Sequence, residues 1–489
     1  MTAETAPDAA EAPIGTQPVP QRLLLVLPST GEFDSRTYRI ATAAIARGHT
    51  VTVLARWKAG LPKREIDPAG YEIIRIRTDP GEALPGRDVA RKVVRMGDRD
   101  GYDVGPGQSP DDEDDADDIA APEGASGGPT ILVGDAGRRG AATRPARPPG
   151  GLLLRPIRRL AGRMIRQWAI LLTIRSHSRH AREVAPPADL IHGMAYMGIP
   201  VAHAIADRQP RRPRVIYDAR DIYMDAANLA RMRGPVRWVI ARAEKRWARR
   251  ADRVVTVNEP YAEVMASRFG VPKPLVVLNC SYRFTPPEPP ERRFHDHLGL
   301  PPSTRVVLYQ GGFSLDRGIE QLFEAIRSIE DATLVLMGYG LQEAAYREQA
   351  ASLELRDRVR IMPAVPPAEL LSWVASADVV AMPIQPTTLN HRLTTPNKLF
   401  EAMAAGVPVV ASDLPGMAPI VRETGVGLVV DPTDPGAIAA ACREILDASP
   451  EERAARRRRA LDAAHATYNW ERQVDVLFRE YGRLTGRPW

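Results

Sequence analysis

The 489-residue sequence predicts an α/β protein built from two doubly wound units. Three observations predict it. Short, β-branched apolar runs alternate with helix-length segments along most of the chain, and runs apolar on both faces are the mark of parallel strands covered by helices on each side. The alternation breaks near Phe284–Pro302, where TPPEPPERRFHDHLGLPPS reads as a stiff linker, and then restarts. The length suits two or three domains of roughly 100–200 residues each.

Taken in order, residues 1–20 lack a basic start and an apolar core, so they read as a disordered tail rather than a signal peptide. The first unit is expected over 21–290. It opens with LLLVL (Leu23–Leu27), a helical stretch over Ser35–Arg47, TVTVLA (Thr50–Ala55) and EIIRIR (Glu72–Arg77), and resumes with DLIHG, RVIYDA, RVVTVN and LVVLN. Between these parts, 97–151 is rich in Gly, Pro and Asp and carries the acidic run Asp111–Asp118; it reads as a disordered insertion. The second unit, expected over 291–469, contains RVVLYQG, TLVLMG, RVRIMP, DVVAMP, VPVVAS and GLVV, each followed by a helical pattern. Residues 470–489 are expected to form a last helix that packs back on the first unit. Sheets of this type bind ligands at the carboxyl ends of strands, so two facing units imply a cleft.

Charge is unevenly spread. Lys plus Arg is 66 and Asp plus Glu is 60, a net +6, but twelve arginines and no acidic residue fall between Arg138 and Arg182. Within 152–182, Leu153, Ile157, Leu160, Met164 and Trp168 follow helical spacing, with Arg158, Arg159, Arg163 and Arg166 among them. Such a helix can lie on an anionic membrane surface or pack its stripe on the first sheet, and the two readings are compatible. A nucleic-acid partner is not expected, because the basic stretch lacks interleaved aromatic residues for base stacking. No uncharged apolar run reaches the ~18–20 residues of a membrane span. Two distant cysteines, Cys280 and Cys442, make neither a disulfide framework nor a metal cluster and suit a reducing compartment. A cytoplasmic protein is expected, with the inner face of the membrane left open.

The stretch TTPNKLFEAMAAGVPVVASDLPG (Thr394–Gly416) carries the most chemistry. Thr395 and Pro396 read as an N-cap and first-turn pair, with the helix running to about Ala405 and stopped by Gly406 and Pro408. A lysine at 398 opposes the helix dipole, and an anion bound at the helix start reverses that cost. Glu401, one turn further in, suits two ribose hydroxyls, which can both donate to a carboxylate. The same spacing fits an ordinary surface Lys–Glu pair. In YQGGFSLDRGIEQLFEAI (Tyr309–Ile326), Gly311 and Gly312 end a strand and Arg317 stands before a helix start, a backbone cradle with a cationic clamp for phosphate. Gly338 and Gly340 follow the next strand as a backbone-lined wall.

These blocks, in the order YQGGF…DRG, MGYG, PNKLFEAMAAGVPVVASDLPG, resemble the C-terminal half of retaining glycosyltransferases of the GT-B architecture. The family is glycosyltransferase family four, the "glycosyl transferases group 1" type, with its sucrose synthase-like and bacterial lipopolysaccharide and capsule enzymes. FDSRTYRIATAAIARGHTVTVLA, IYDARDIYMDA and EKRWARRADRVVTVNE resemble its N-terminal half, so the likeness covers Gln21 to about Leu484 apart from the insertion. It implies a nucleoside-diphosphate sugar as co-substrate, no cofactor, no metal, and a polysaccharide, glycolipid or small-molecule acceptor.

The resemblance also implies roles. Glu401 matches the carboxylate holding the donor ribose, Lys398 and Arg317 the basic positions at the diphosphate, and Gly311 and Gly312 the loop beneath it. Met362 and Ala364 lie in the strand end that receives the base, and Asn390, His391 and Thr395 lie where relatives touch the sugar; Asn397 and Leu399 belong to the same donor-binding block. The sequence departs from many relatives in having Leu393 at the position of a first glutamate and Arg317 in place of a lysine. On the acceptor side, Arg220 and Asp221 read either as a phosphate contact or as an internal ion pair, and Asp34, Ser35 and Arg36 as acceptor contacts or a helix cap. His192 reads as a structural histidine more readily than a catalytic one. Two other functions fit the same fold: a nucleotide-sugar epimerase, which needs no acceptor, and a non-catalytic nucleotide-sugar-binding scaffold.

Overall fold

A computed structural model of the chain describes residues 19–32, 34–79, 155–232, 234–352 and 354–489. The insertion expected over 97–151, and all but the last two residues of the tail expected over 1–20, lie outside the described residues.

The N-terminal sheet contains β1 (Arg22–Val26), β2 (Thr50–Arg56), β3 (Arg64–Ile66), β4 (Glu72–Ile76), β5 (Leu190–Met194), β6 (Arg214–Asp218), β7 (Arg253–Thr256) and β8 (Leu275–Val276). Their order is β3-β4-β2-β1-β5-β6-β7-β8, parallel throughout except for the β3–β4 pair. Its helices are α1 (Ser35–Ala46), α2 (Arg155–Val184), α3 (Ala195–Ala206), α4 (Ala227–Arg231), α5 (Pro235–Arg250) and α6 (Glu259–Phe269). The C-terminal sheet contains β9 (Arg305–Gly312), β10 (Ala332–Tyr339), β11 (Val359–Met362), β12 (Val379–Met382), β13 (Val409–Ser412) and β14 (Gly427–Val430), all parallel, in the order β11-β10-β9-β12-β13-β14. With it come α7 (Arg293–Leu298), α8 (Ile319–Ile326), α9 (Glu343–Ala350), α10 (Pro367–Val374), α11 (Leu389–Leu393), α12 (Asn397–Ala405), α13 (Ala418–Thr424), α14 (Pro435–Leu446), α15 (Pro450–Ala466) and α16 (Trp470–Thr485). Strand order reverses between β1 and β5 in one sheet and between β9 and β12 in the other. These are the crevices where such sheets take ligands.

Burial explains the layers. On one face of the N-terminal sheet, Tyr196 and Ile199 of α3, Val236 and Ile240 of α5 and Tyr261 of α6 form a single core with Leu24, Ile191 and Tyr217. On the other face, Ile40 and Ala44 of α1 meet Trp470, Leu477 and Phe478 of α16. The last helix thus packs on the N-terminal unit although the chain reaches it from the C-terminal one. The return crossing is tied to the outward one: the Trp470 amide donates to the Ser281 carbonyl at 2.8 Å, and Asn469 caps α16 by accepting from the Arg472 amide at 3.0 Å.

One expectation changes. The stretch near Phe284–Pro302 is not linker throughout, because α7 forms within it. Phe294 is buried in the C-terminal core with its ring edge-on to Trp373 at 5.3 Å, so one aromatic residue recruits the segment to the domain. In the basic segment, Leu153 and the side chains of Ile157, Leu160, Met164, Arg158, Arg159, Arg163 and Arg166 lie outside those described. The described part of α2 buries Ile174, His177 and Ala181 against the N-terminal domain. No helix among the described residues is long and apolar enough to cross a membrane.

Candidate functional site

The candidate site is the crevice between β9 and β12, where three loops and the start of α12 meet. Helix α12 is made from NKLFEAMAA, rich in strong helix formers, and is closed by Gly406 in the left-handed conformation. Its start differs from the expected one. Pro396 is extended (φ −73, ψ 147) and stands outside the helix as its cap, with no side chain accepting from the first-turn amides. Thr395 is not the N-cap: its hydroxyl donates to the Gly416 carbonyl at 2.5 Å and accepts from Asn258 Nδ2 at 3.1 Å. A buried carbonyl and a neighbouring domain compete successfully for that hydroxyl. The first turn closes through the Leu399 amide, which donates to the Pro396 carbonyl at 3.1 Å.

Lys398 and Glu401 are 1% and 2% exposed, so they are not a surface pair. The Lys398 ammonium lies 4.3 Å from the centre of the Tyr309 ring, a cation–π contact that offsets part of its desolvation. Gln310, buried in β9, donates from Nε2 to Glu401 Oε2 at 3.3 Å. Neither Tyr309 nor Gln310 was singled out in the sequence. The signal was there, in that Gln310 is a polar residue inside an otherwise apolar strand.

Between β9 and α8, the loop carrying Arg317 is braced from several sides. Arg317 is 4% exposed and donates from Nε to Ser314 Oγ at 3.3 Å. Tyr346 donates to the Ser314 carbonyl at 3.3 Å and to Glu320 at 2.8 Å, and the Gln385 amide donates to the Asp316 carbonyl at 2.9 Å. Gly318, at φ +79, admits no side chain, since a Cβ there meets the Pro383 carbonyl oxygen at 2.0 Å. Gly338 of β10 is equally constrained: a Cβ meets the Gly311 oxygen at 2.0 Å, so the two backbones run in contact. Gly311, Gly312 and Gly340 complete that wall. Met362 and Ala364 turn their side chains into the domain core, as does Leu399, so a ligand beside them meets main chain.

The acceptor-side residues have partners within the protein. Arg220 pairs with Asp34 at 3.0 Å, while Asp34 also caps α1 by accepting from the Thr37 amide at 2.8 Å. Asp221 accepts from Asn390 Nδ2 at 2.9 Å, across the domain boundary. Beneath them, Arg36, Asp218 and His192 are fully buried. Arg36 meets Asp218 at 2.7 Å, His192 Nε2 lies 3.0 Å from the same carboxylate, and His192 Nδ1 lies 2.6 Å from the Tyr481 hydroxyl of α16. Burial alone raises the Asp218 carboxyl, but Arg36 and His192 outweigh it and hold it well below the usual range. Arg36 and His192 are thus parts of an internal network and do not line the cleft. His391 is held by Thr387 Oγ1 at 3.0 Å. Among the described residues no group of three His, Cys, Asp or Glu side chains is placed to hold a metal ion.

Comparison with known proteins matches both halves of the chain. Residues 304–448 match the family model "Glycosyl transferases group 1", and residues 118–280 match "Glycosyl transferase 4-like domain". A D-inositol 3-phosphate glycosyltransferase of Xylanimonas cellulosilytica is 30% identical over 213 residues, covering 42% of this chain and 49% of that protein. Its counterpart in Mycolicibacterium vanbaalenii is 30% identical over 254 residues, covering 48% and 53%. The chain thus spans about half the length of the curated relatives it matches. Among solved structures, sucrose-phosphate synthase from Thermosynechococcus elongatus superposes with a TM-score of 0.63 at 19% identity, covering 95% of this chain and 99% of that one. HepE from Anabaena, in complex with UDP-glucose, gives 0.58 at 15% identity, covering 95% and 100%.

Proposed function

The chain belongs to the group 1 glycosyltransferases of GT-B architecture, and on that premise we propose that it transfers a sugar, with retention at the anomeric carbon, from a nucleoside-diphosphate sugar to a polysaccharide, glycolipid or small-molecule acceptor. The observation that carries the reading is the buried pair Lys398 and Glu401 in the first turns of α12. A buried cation, a buried carboxylate and the positive end of a helix have one ligand chemistry in common: a diphosphate joined to a ribose. The solved neighbour with UDP-glucose supports the same donor class.

In the proposed reaction the bond from the anomeric carbon to the diphosphate oxygen breaks, with its electron pair leaving on phosphate. The acceptor hydroxyl forms the new bond on the same face, and its proton passes to the departing diphosphate. Lys398, Arg317 and the α12 amides stabilise the charge that develops on the leaving group, and transfer is proposed to need no divalent cation. Glu401 holds the ribose hydroxyls, oriented by Gln310. The acceptor enters over Asp34, Arg220 and the loop after β6.

The proposed setting is the inner face of the cell membrane. Trp168 of α2 is 42% exposed, Trp238 of α5 is 64% exposed, and Arg175, Arg179, Arg182, Arg242, Arg246 and Arg249 are exposed on the same two helices. Aromatic side chains among cations suit an anionic bilayer surface. A screen of uridine and guanosine diphosphate sugars by thermal shift and product formation tests the function. Failure of every nucleotide to raise the melting temperature refutes it.

A further inference from the structure

Residues Thr388–Asn397 run from the N-cap of α11 to the first residue of α12, in the C-terminal half of the chain, yet Asn390, Leu393, Thr395 and Asn397 all bond to the N-terminal domain or to the crossing that leaves it. Asn390 Nδ2 donates to Asp221 at 2.9 Å, its Oδ1 accepts from the Ile222 amide at 2.8 Å, and its carbonyl accepts from the Tyr261 hydroxyl at 3.0 Å. Asn258 Nδ2 donates to the Leu393 carbonyl at 2.8 Å and to Thr395 Oγ1 at 3.1 Å. Asn279, on the interdomain crossing, donates to Asn397 Oδ1 at 2.9 Å and accepts from Arg39 at 2.9 Å. Three separate parts of the N-terminal domain thus hold one segment, and Leu389 and Leu393 add apolar packing against the same domain's core.

We propose that this segment is an interdomain clasp, and that Asn390 and Asn258 are positioning residues that set the start of α12 against the acceptor domain. Resting on the glycosyltransferase reading, the proposal adds how the two half-sites are brought into register. Asn390 and Thr395 occupy positions where the resemblance implies sugar contacts, but both amide atoms of Asn390 are engaged across the boundary. Lys398 follows Asn397 directly, so a shift of the clasp moves the cation and the helix amides together. Reacting groups must be held to about 1 Å for efficient transfer, and a misplacement of that size costs roughly a hundredfold.

The test uses the full chain. Asn390→Ala is expected to lower kcat for transfer roughly ten- to hundredfold, leave the Kd for the free nucleoside diphosphate within about threefold, and raise the share of donor lost to water. Amide hydrogen exchange at Ile222 supplies a readout independent of turnover. It should speed up in Asn390→Ala and in Asn390→Asp, which sets a carboxylate against Asp221, and slow again in the double variant Asn390→Asp with Asp221→Asn. Unchanged exchange at Ile222 in the single variants overturns the clasp. So does a nucleotide Kd that weakens in step with kcat, because Asn390 is then a donor contact. Absence of nucleotide-sugar binding by the unaltered chain would instead refute the glycosyltransferase reading, and the exchange experiment would still decide the clasp.

Discussion

Glu244 provides a quantitative test of the N-terminal domain. It lies on the inner face of α5, fully buried, and accepts from the Tyr217 hydroxyl of β6 at 2.7 Å. Burial pushes its carboxyl up from 4.5 to about 7, against the smaller pull of the Tyr217 hydrogen bond and Arg268. In the unfolded chain the group returns to its ordinary value. Below about pH 4.5 both states hold the proton and the group adds no pH dependence. Between about 4.5 and 7 the unfolded chain releases a proton that the folded chain retains, so stability falls as pH rises; above 7 the loss is complete. At about 1.36 kcal/mol per pH unit, the gap is worth roughly 3 kcal/mol. Glu244→Gln keeps an acceptor for Tyr217 and removes the titration. Urea unfolding of both proteins across pH 4.5–8 should show the variant gaining on the parent as pH rises, by about 3 kcal/mol at pH 8. A stability difference that does not change with pH refutes the reasoning.

Other outcomes concern the cleft and the surface. Lys398→Ala and Glu401→Ala should each lower transfer by about a hundredfold or more, judged from removal of comparable charge-stabilising groups; near-normal turnover in either sinks the donor assignment. Gln310→Leu removes the donor that orients Glu401 and should raise the donor KM about tenfold, with a smaller effect on kcat. Incubation with a donor alone should yield no epimerised sugar, whereas an epimerised product would favour the epimerase reading. Co-sedimentation with vesicles rich in anionic lipid should fall sharply in a Trp238→Ala, Arg242→Glu double variant and at high salt; binding indifferent to both rules out the membrane face.

Much of the architecture was legible along the chain. Strands covered on both faces must be apolar throughout, so RVVLYQG or RVIYDA announces itself without knowledge of its neighbours. The end of α12 was equally plain, because Gly406 and Pro408 act locally. Its beginning was not. Whether Thr395 caps the helix depends on what else competes for its hydroxyl, and the winner is a carbonyl at Gly416 with help from Asn258. Phe294 shows the same limit in reverse, since one buried ring turns part of an apparent linker into a domain element.

The sequence by itself determined the two α/β sheets, the helix that carries Lys398 and Glu401 and the glycine-lined loops beside it. All of these rest on periodicity, turn chemistry and spacing within short windows. The tertiary structure alone decided the partners: Asp34 for Arg220, Gln310 for Glu401, Tyr481 for His192, and the N-terminal domain for Asn390. The physical reason is burial. A polar group removed from water must find a complement wherever the fold brings one within about 3 Å, and here those complements lie scores to hundreds of residues away along the chain.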